Sequence, residues 1–339
     1  MSGLRADHST SRHGGDGDRG PNVLYFGRSA EVAELYRAHL PESWRLSTLP
    51  RGCGTQEELR FIAEADALIH TDALLTSEHL AAAGRLALVQ RQGVGLDTLD
   101  LPALRDRDVA VAVCPDGSAE AVAEHTLLLM LAAGRHLVQL HQQTQGGAWP
   151  KWAYRQISTG LQGAVVGIVG FGRIGRAVAR RVLAFDSEVL VHRRDGSPLG
   201  EEWEETPTNT CASLDELFRR SDVVTLHCPL LPETRGMVDA RLLGLMKPTA
   251  ILVNTARGGL VVEEDLVTAL RSGRPAAAGL DVLSAEPPPA DHPLLDLPNV
   301  VLTPHCAAGT RQAQVVKIRA VLANIGRMWA GEPLHDRVV

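Results

Sequence analysis

Aromatic residues are scarce: Phe, Trp and Tyr make up 4% of this 339-residue chain. Few rings are available as stacking platforms, so single-stranded nucleic acid is not an expected partner. Net positive charge is also lacking. The formal charge is −6, which gives no electrostatic pull toward nucleic acid or an anionic membrane. The cysteines, Cys53, Cys114, Cys211, Cys228 and Cys306, are odd in number and scattered, with no CxxC pair. Neither a zinc site nor a disulfide framework is indicated, no metal is expected, and a reducing compartment fits best. Long apolar runs are missing too. The longest, around Thr126–Ala133, falls far short of the ~20 residues that span a bilayer. The opening "MSGLRADHSTSRHGGDGDRG" has no apolar run, so it reads as a disordered tail over residues 1–20 and not as a secretory signal. A cytoplasmic protein is expected.

What is present is ordinary soluble composition, with 45% hydrophobic and 22% charged residues. The length favours two cores. Short apolar strands alternate with helical stretches: "NVLYFG" (22–27), a helix through "AEVAELYRAHL", then "ADALIH", "LALVQRQG" and "VAVAVC". Such alternation predicts a parallel sheet covered on both faces. A long helical pattern over 118–145 follows, with Ser118 as its expected N-cap. It reads as a helix that crosses between domains or packs at a subunit interface. The alternation restarts at Ala164 and continues to "NVVLTPH", giving a second doubly wound unit. A last helix, near 310–331, is expected to return to the first domain. The predicted architecture is α/β: a flavodoxin-like substrate domain over 21–117 plus 310–339, and a Rossmann cofactor domain over 118–309.

The strand "AVVGIVG" runs into Gly170-Phe-Gly172-Arg-Ile-Gly175 and then a helix. That context gives the GxGxxG pattern its specificity. The first glycine permits the tight turn, the second lets pyrophosphate approach the backbone, and the third lets helix and strand pack closely. Arg173 and Ile174 fill the spacing at the helix N-terminus, whose free N–H groups suit phosphate. A dinucleotide is therefore the expected cofactor.

Three polar residues follow later strands. Arg257 lies in "NTARGG", Glu286 in "GLDVLSAEPPP" and His305 in "VLTPHCAAGT". Singly, each suits a solvated loop. Together, at successive strand ends beside a dinucleotide fingerprint, they suit carbonyl reduction. Hydride addition to a carbonyl builds negative charge on oxygen, and His305 as general acid/base neutralises it. Glu286 would favour the imidazolium. Arg257 would anchor a substrate carboxylate and polarise the carbonyl.

"GFGRIGRAVA", "HCPLLPETRGMV", "MKPTAILVNTARGGLVVEEDLVTALRSG", "AAAGLDVLSAEPP" and "NVVLTPHCAAGT" resemble the D-isomer-specific 2-hydroxyacid dehydrogenases, in order and over roughly residues 22–331. The resemblance implies an active site between two domains, with Arg257, Glu286 and His305 catalytic. It implies that Asp281 meets the nicotinamide carboxamide, and that His227, Cys228, Pro229, Thr255 and Ala256 line the cofactor. It also places the substrate carboxylate on the N–H groups of Gly93, Val94 and Gly95, a turn able to offer such donors. It implies a homodimer through the cofactor domain. Trp149, Trp152, Tyr154 and Arg155 suit interface packing better than a pocket, and His125 and His227 read as structural.

Within the family, Gln at the position of Glu286 would mark formate dehydrogenases, and a lysine near Val94 would mark phosphite dehydrogenases. The phosphoglycerate branch often carries a long regulatory extension, whereas this chain ends soon after its final helix. A small 2-oxoacid such as glyoxylate, hydroxypyruvate or pyruvate is expected. The cofactor is read from "VLVHRRDGS" (189–197), where Arg193 and Arg194 stand at the strand tip and Asp195 one step beyond. Arginine suits a 2′-phosphate and a carboxylate would repel it, so NADP(H) is expected over NAD(H). The contrasting reading sends both arginines to solvent while Asp195 turns back to the ribose. A rival from another class is a non-catalytic transcriptional corepressor on the same scaffold. A hydrolase resembling adenosylhomocysteine hydrolase is disfavoured by "GLDV" just ahead of Glu286.

Overall fold

The computed structural model describes residues 19–71, 73–211 and 213–339. They form two compact units, one running through Asp116 and resuming over Gln314–Val339, the other Gly117–Ala313. The expected domain ends at 117 and 309 thus become 116 and 313. Most of the tail expected over 1–20 lies outside the described residues. Gly20 is described and buried, and its N–H donates to the Ser43 carbonyl at 3.0 Å.

The first unit runs β1 (Asn22–Phe26), α1 (Ala30–Arg37), β2 (Arg45–Thr48), α2 (Thr55–Glu64), β3 (Ala67–His70), α3 (Ser77–Ala82), β4 (Leu88–Arg91), α4 (Leu101–Arg105) and β5 (Ala110–Ala112). The sheet order is β2-β1-β3-β4-β5, all parallel, the order of flavodoxin-like folds. β1 and β3 are buried throughout and β4 over most of its length; their apolar stretches are continuous and do not alternate, and the buried polar residues Asn22, His70 and Gln90 lie at or beyond the ends of those stretches. β2, "RLST", is half-exposed at the sheet edge and carries no such signal.

The second unit runs α5 (Ser118–Gly134), α6 (Leu137–Gln145), β6 (Val165–Val169), α7 (Arg173–Leu183), β7 (Glu188–His192), β8 (Thr208–Thr210), α8 (Leu214–Arg220), β9 (Val223–Leu226), α9 (Ala240–Leu245), β10 (Ile251–Asn254), α10 (Glu263–Arg271), β11 (Ala277–Leu280) and β12 (Val300–Leu302). Its seven strands order as β12-β11-β10-β9-β6-β7-β8, all parallel. From β8 to β11 this is the dinucleotide-binding order, with the switch point between β6 and β9. A last helix, α11 (Arg311–Trp329), belongs to the first unit from Gln314 onward. There Ile318, Val321, Leu322 and Ile325 pack with Val23, Tyr25, Ile69 and Leu88.

The single helix expected over 118–145 is two. α5 ends at Gly134, where a β-carbon would stand 2.8 Å from the Thr159 carbonyl oxygen, and His136 then takes a left-handed backbone before α6. Ser118 is the first helical residue and not the cap; Gly117, at φ +69°, precedes it with no side-chain cap. α5 packs into the second unit. Ala123, Leu127, Leu129, Met130 and Ala133 lie in the core of the second unit. Gly279 in β11 lets it approach, since a β-carbon there would lie 2.8 Å from that of Leu129.

Candidate active site

The fingerprint glycines divide three tasks. Gly170 has φ +93°, and a β-carbon on it would stand 2.7 Å from the His227 carbonyl oxygen. A β-carbon on Gly175 would stand 2.2 Å from the Gly170 oxygen, so this glycine lets α7 press against the turn. At Gly172 a β-carbon would meet nothing within 4 Å. Gly172 is also the N-cap of α7 and supplies no side-chain cap. An open backbone cradle at a helix N-terminus fits a pyrophosphate, which would itself satisfy the free N–H groups.

The three strand-end residues gather on this unit. His305 Nδ1 lies 2.6 Å from Glu286 Oε2, and the Leu283 N–H donates to Glu286 Oε1 at 3.1 Å. Burial pushes the Glu286 carboxyl up. The His305 hydrogen bond and charge outweigh it, aided by the Leu283 N–H and the Arg257 charge, and hold the group below its ordinary range. Arg257 is within electrostatic reach because two loops touch. A β-carbon on Gly258 would lie 2.0 Å from the Leu283 carbonyl carbon, so only glycine lets the β10 and β11 loops meet there. Asn254 shapes the same turn, donating to the Arg257 carbonyl at 2.8 Å and accepting from the Ala256 N–H at 3.0 Å. Sequence reading missed Asn254, whose signal was an Asn at a strand end two residues before a turn.

His305 sits at φ +50°, a left-handed backbone uncommon outside glycine. Its side chain is half exposed. Asp281 is buried, and its carboxylate accepts from the Thr303 hydroxyl at 2.6 Å and from the N–H groups of Cys306 and Ala307, each at 2.9 Å. His125 of α5 reaches the Thr303 hydroxyl at 2.9 Å. Among the described residues, His125, Asp281 and Cys306 form a group close enough to hold a metal ion. Three hydrogen bonds already converge on the Asp281 carboxylate, which makes it a clamp on the His305 loop.

The other expected cofactor residues have distinct placements. The His227 ring nitrogens are enclosed, and burial pulls the imidazole down to about 3, so it is neutral. Its Nε2 contacts the Thr225 hydroxyl at 2.9 Å, and its Nδ1 has no partner among the described residues. The Thr255 hydroxyl turns inward to Thr126 at 2.9 Å. Ala256 is half-buried and Pro229 exposed at the loop tips. Burial pushes the Cys228 thiol up to about 11, against a backbone hydrogen bond and the Arg194 charge. Arg194 is therefore within electrostatic reach of the loop after β9.

Arg193 does not share that freedom. Its Nε and Nη2 pair with the two Asp195 oxygens at 3.2 and 3.3 Å, and its Nη1 donates to the Pro198 carbonyl at 3.0 Å. The Ser197 N–H, and then Arg193, hold the Asp195 carboxyl below its usual range. The acid is thus engaged inside its own loop. Arg194 is exposed and forms no ion pair with a described residue.

In the first unit, Val94 is exposed and the Arg91 guanidinium fixes the Gly95 carbonyl at 2.8 Å. The N–H groups of Gly93, Val94 and Gly95 donate to no acceptor among the described residues.

The switch-point sheet and the glycine cradle define a dinucleotide-binding protein. A family model described as D-isomer specific 2-hydroxyacid dehydrogenase, NAD binding domain, matches residues 127–307, and the chain belongs to that family. It is 40% identical over 286 residues to the D-3-phosphoglycerate dehydrogenase of Mycobacterium leprae, covering 83% of this chain and 52% of that protein. It is 38% identical over 263 residues to the hydroxypyruvate reductase of Thermotoga maritima, covering 76% of this chain and 83% of that one. Among solved structures, the TT0316 protein of Thermus thermophilus matches with a TM-score of 0.82 at 35% identity, over 94% of this chain and 99% of the other. The chain spans about half the length of the D-3-phosphoglycerate dehydrogenases it matches. No helix among the described residues is long and apolar enough to cross a membrane.

Proposed function

We propose that this protein interconverts a small 2-oxoacid and its D-2-hydroxyacid with a nicotinamide dinucleotide. The observation that carries this is the 2.6 Å His305–Glu286 pair beside Arg257, on the same sheet as the glycine cradle. Gly170, Gly172, Arg173, Ile174 and Gly175 would hold the pyrophosphate, with Thr255, Ala256, Asp281 and the His227–Pro229 segment around the rest of the cofactor. When bound, the cofactor supplies or accepts hydride. His305 gives a proton to the carbonyl oxygen from Nε2 and takes it back in reverse, while Glu286 holds Nδ1. Arg257 pairs with the substrate carboxylate; within the first unit, the N–H groups of Gly93, Val94 and Gly95 are donors of a kind that suits a carboxylate.

NADP(H) is the preferred cofactor in this reading, with Arg194 meeting the 2′-phosphate and Arg193 holding Asp195 away from it. The family's name for its matched domain admits NAD(H) as well. We assign the protein to the cytoplasm, without nucleic acid as partner. We also assign a homodimer formed through α6 and the segment after it. There Leu137, Trp149, Trp152 and Ile157 are all exposed, and Arg155 stacks on Trp152 at 3.8 Å.

The test is a panel of glyoxylate, hydroxypyruvate, pyruvate and 3-phosphohydroxypyruvate with NADH and NADPH, reporting kcat/KM. The phosphorylated member belongs there because relatives at 40% identity are named for D-3-phosphoglycerate, itself a 2-hydroxyacid. Turnover that is lost in His305→Ala supports the enzyme. No turnover of any member would leave the corepressor reading standing.

A further inference from the structure

We propose that Thr303 and His125 are positioning residues, which act through Asp281 to hold His305 in its working conformation. The inference rests on His305 being the proton donor. Residues 303 to 307 form the turn after β12, and Asp281 ties down most of it. Its backbone carbonyl accepts from the His305 N–H at 2.7 Å. Its carboxylate accepts from Thr303 on one side of His305, and from Cys306 and Ala307 on the other. A left-handed backbone at a residue with a β-carbon persists only where its surroundings enforce it, and this clamp is the enforcement.

The clamp needs its carboxylate charged and aimed. A buried carboxylate is tolerated when donors surround it. The Thr303 hydroxyl has one proton, and at 2.6 Å it gives that proton to Asp281 Oδ1. Its 2.9 Å contact with His125 Nε2 must then run the other way, so His125 carries a proton on Nε2 and donates to Thr303 Oγ1. The donor chain His125→Thr303→Asp281 runs from a core helix to the catalytic turn. His125 Nε2 also stands 3.5 Å from Asp281 Oδ1, which adds to the pull on that oxygen. Neither Thr303 nor His125 is assigned a contact with substrate. Their effect is on where the His305 imidazole points.

The test uses the full chain with Thr303→Val, Thr303→Ser and His125→Leu, which removes the donor. The first readout needs no turnover: histidine-selective NMR of the cofactor-free protein, with the His305 ring signals assigned by their loss in His305→Gln. We expect Thr303→Val and His125→Leu to shift and broaden the His305 signals, and Thr303→Ser to restore them. The second readout is kinetic. Thr303→Val should lower kcat about 10- to 100-fold with a smaller change in KM, and Thr303→Ser should stay within about threefold of the parent. Should Thr303→Val fail to fold, as circular dichroism would reveal, His125→Leu and Thr303→Ser carry the same comparison. Unchanged His305 signals in a folded Thr303→Val or His125→Leu would overturn the proposal. Absence of turnover in the parent would defeat the functional reading alone, because the NMR comparison still decides whether Thr303 and His125 position the ring.

Discussion

His305 Nδ1 lies 2.6 Å from Glu286 Oε2, and the two residues come from loops after neighbouring strands, β12 and β11. The pair is short enough to be charge-assisted. Its effect is visible on the acid, which stays below its ordinary range although burial alone would raise it.

Removing the histidine should therefore release the acid. In His305→Ala, burial acts on Glu286 with only the Leu283 N–H and Arg257 opposing it, so the Glu286 pKa should rise. Carboxyl carbon NMR across an acid titration measures this directly. The stability sign follows. With its folded pKa depressed, Glu286 adds stability above its unfolded pKa, and that stability is lost as pH falls through the folded value. The variant should lose less stability than the parent over that acid window. Its kcat/KM for the best 2-oxoacid should fall roughly 100- to 10,000-fold, the range for loss of a general acid. An unmoved Glu286 titration would mean that the pair does not set the acid.

Gly172 and Gly175 should fail in different ways when changed to alanine. At Gly175 the new methyl would lie 2.2 Å from the Gly170 oxygen, so α7 must shift. About 1–3 kcal/mol of stability should go, seen as a lower Tm. At Gly172 the methyl enters open space, so Tm should hold. It also enters the space a pyrophosphate needs, so the Kd for the dinucleotide should rise at least tenfold. Equal loss of Tm in both variants would contradict the division of labour among the three glycines.

Both variants probe a motif that was legible because strand, spacing and helix all appear in one continuous stretch. Arg257, Glu286 and His305 were legible for a related reason, since each follows an apolar run that marks a strand end. The edge strands were not legible. β2 and β8, "RLST" and "TNT", are short and largely unburied, so no apolar pattern marks them. The break between α5 and α6 was hidden as well. Gly134 is small because Thr159 approaches it, a contact across 25 positions that no local pattern encodes. The Thr303–His125 link joins residues 178 positions apart, and each alone reads as an ordinary polar residue.

The exposed apolar residues of α6 and the segment after it should bury on self-association. Trp149 is 80% exposed and Trp152 64%, which is unusual for the largest side chain. Trp149→Glu with Trp152→Glu should convert the species seen by sedimentation from dimer to monomer while leaving the far-ultraviolet circular dichroism unchanged. A dimer that survives both charges would move the interface elsewhere.

The proposed preference for NADP(H) assigns unlike parts to two adjacent arginines. Arg193 is spent on Asp195 and the Pro198 carbonyl, whereas Arg194 is exposed near the loop after β9. A 2′-phosphate should therefore pair with Arg194. In Arg194→Ser the Kd for NADPH should rise roughly 10- to 100-fold, as expected for the loss of about 1.5–3 kcal/mol in charge-assisted hydrogen bonds. The Kd for NADH should barely move. Asp195→Ala should act through Arg193, freeing a second guanidinium, and should leave NADPH binding equal or tighter. The decisive comparison is the parent protein titrated with both dinucleotides by fluorescence. Tighter NADH binding that is lost in Asp195→Ala would mean that Asp195 leaves Arg193 to hold the ribose, and the assignment would then reverse.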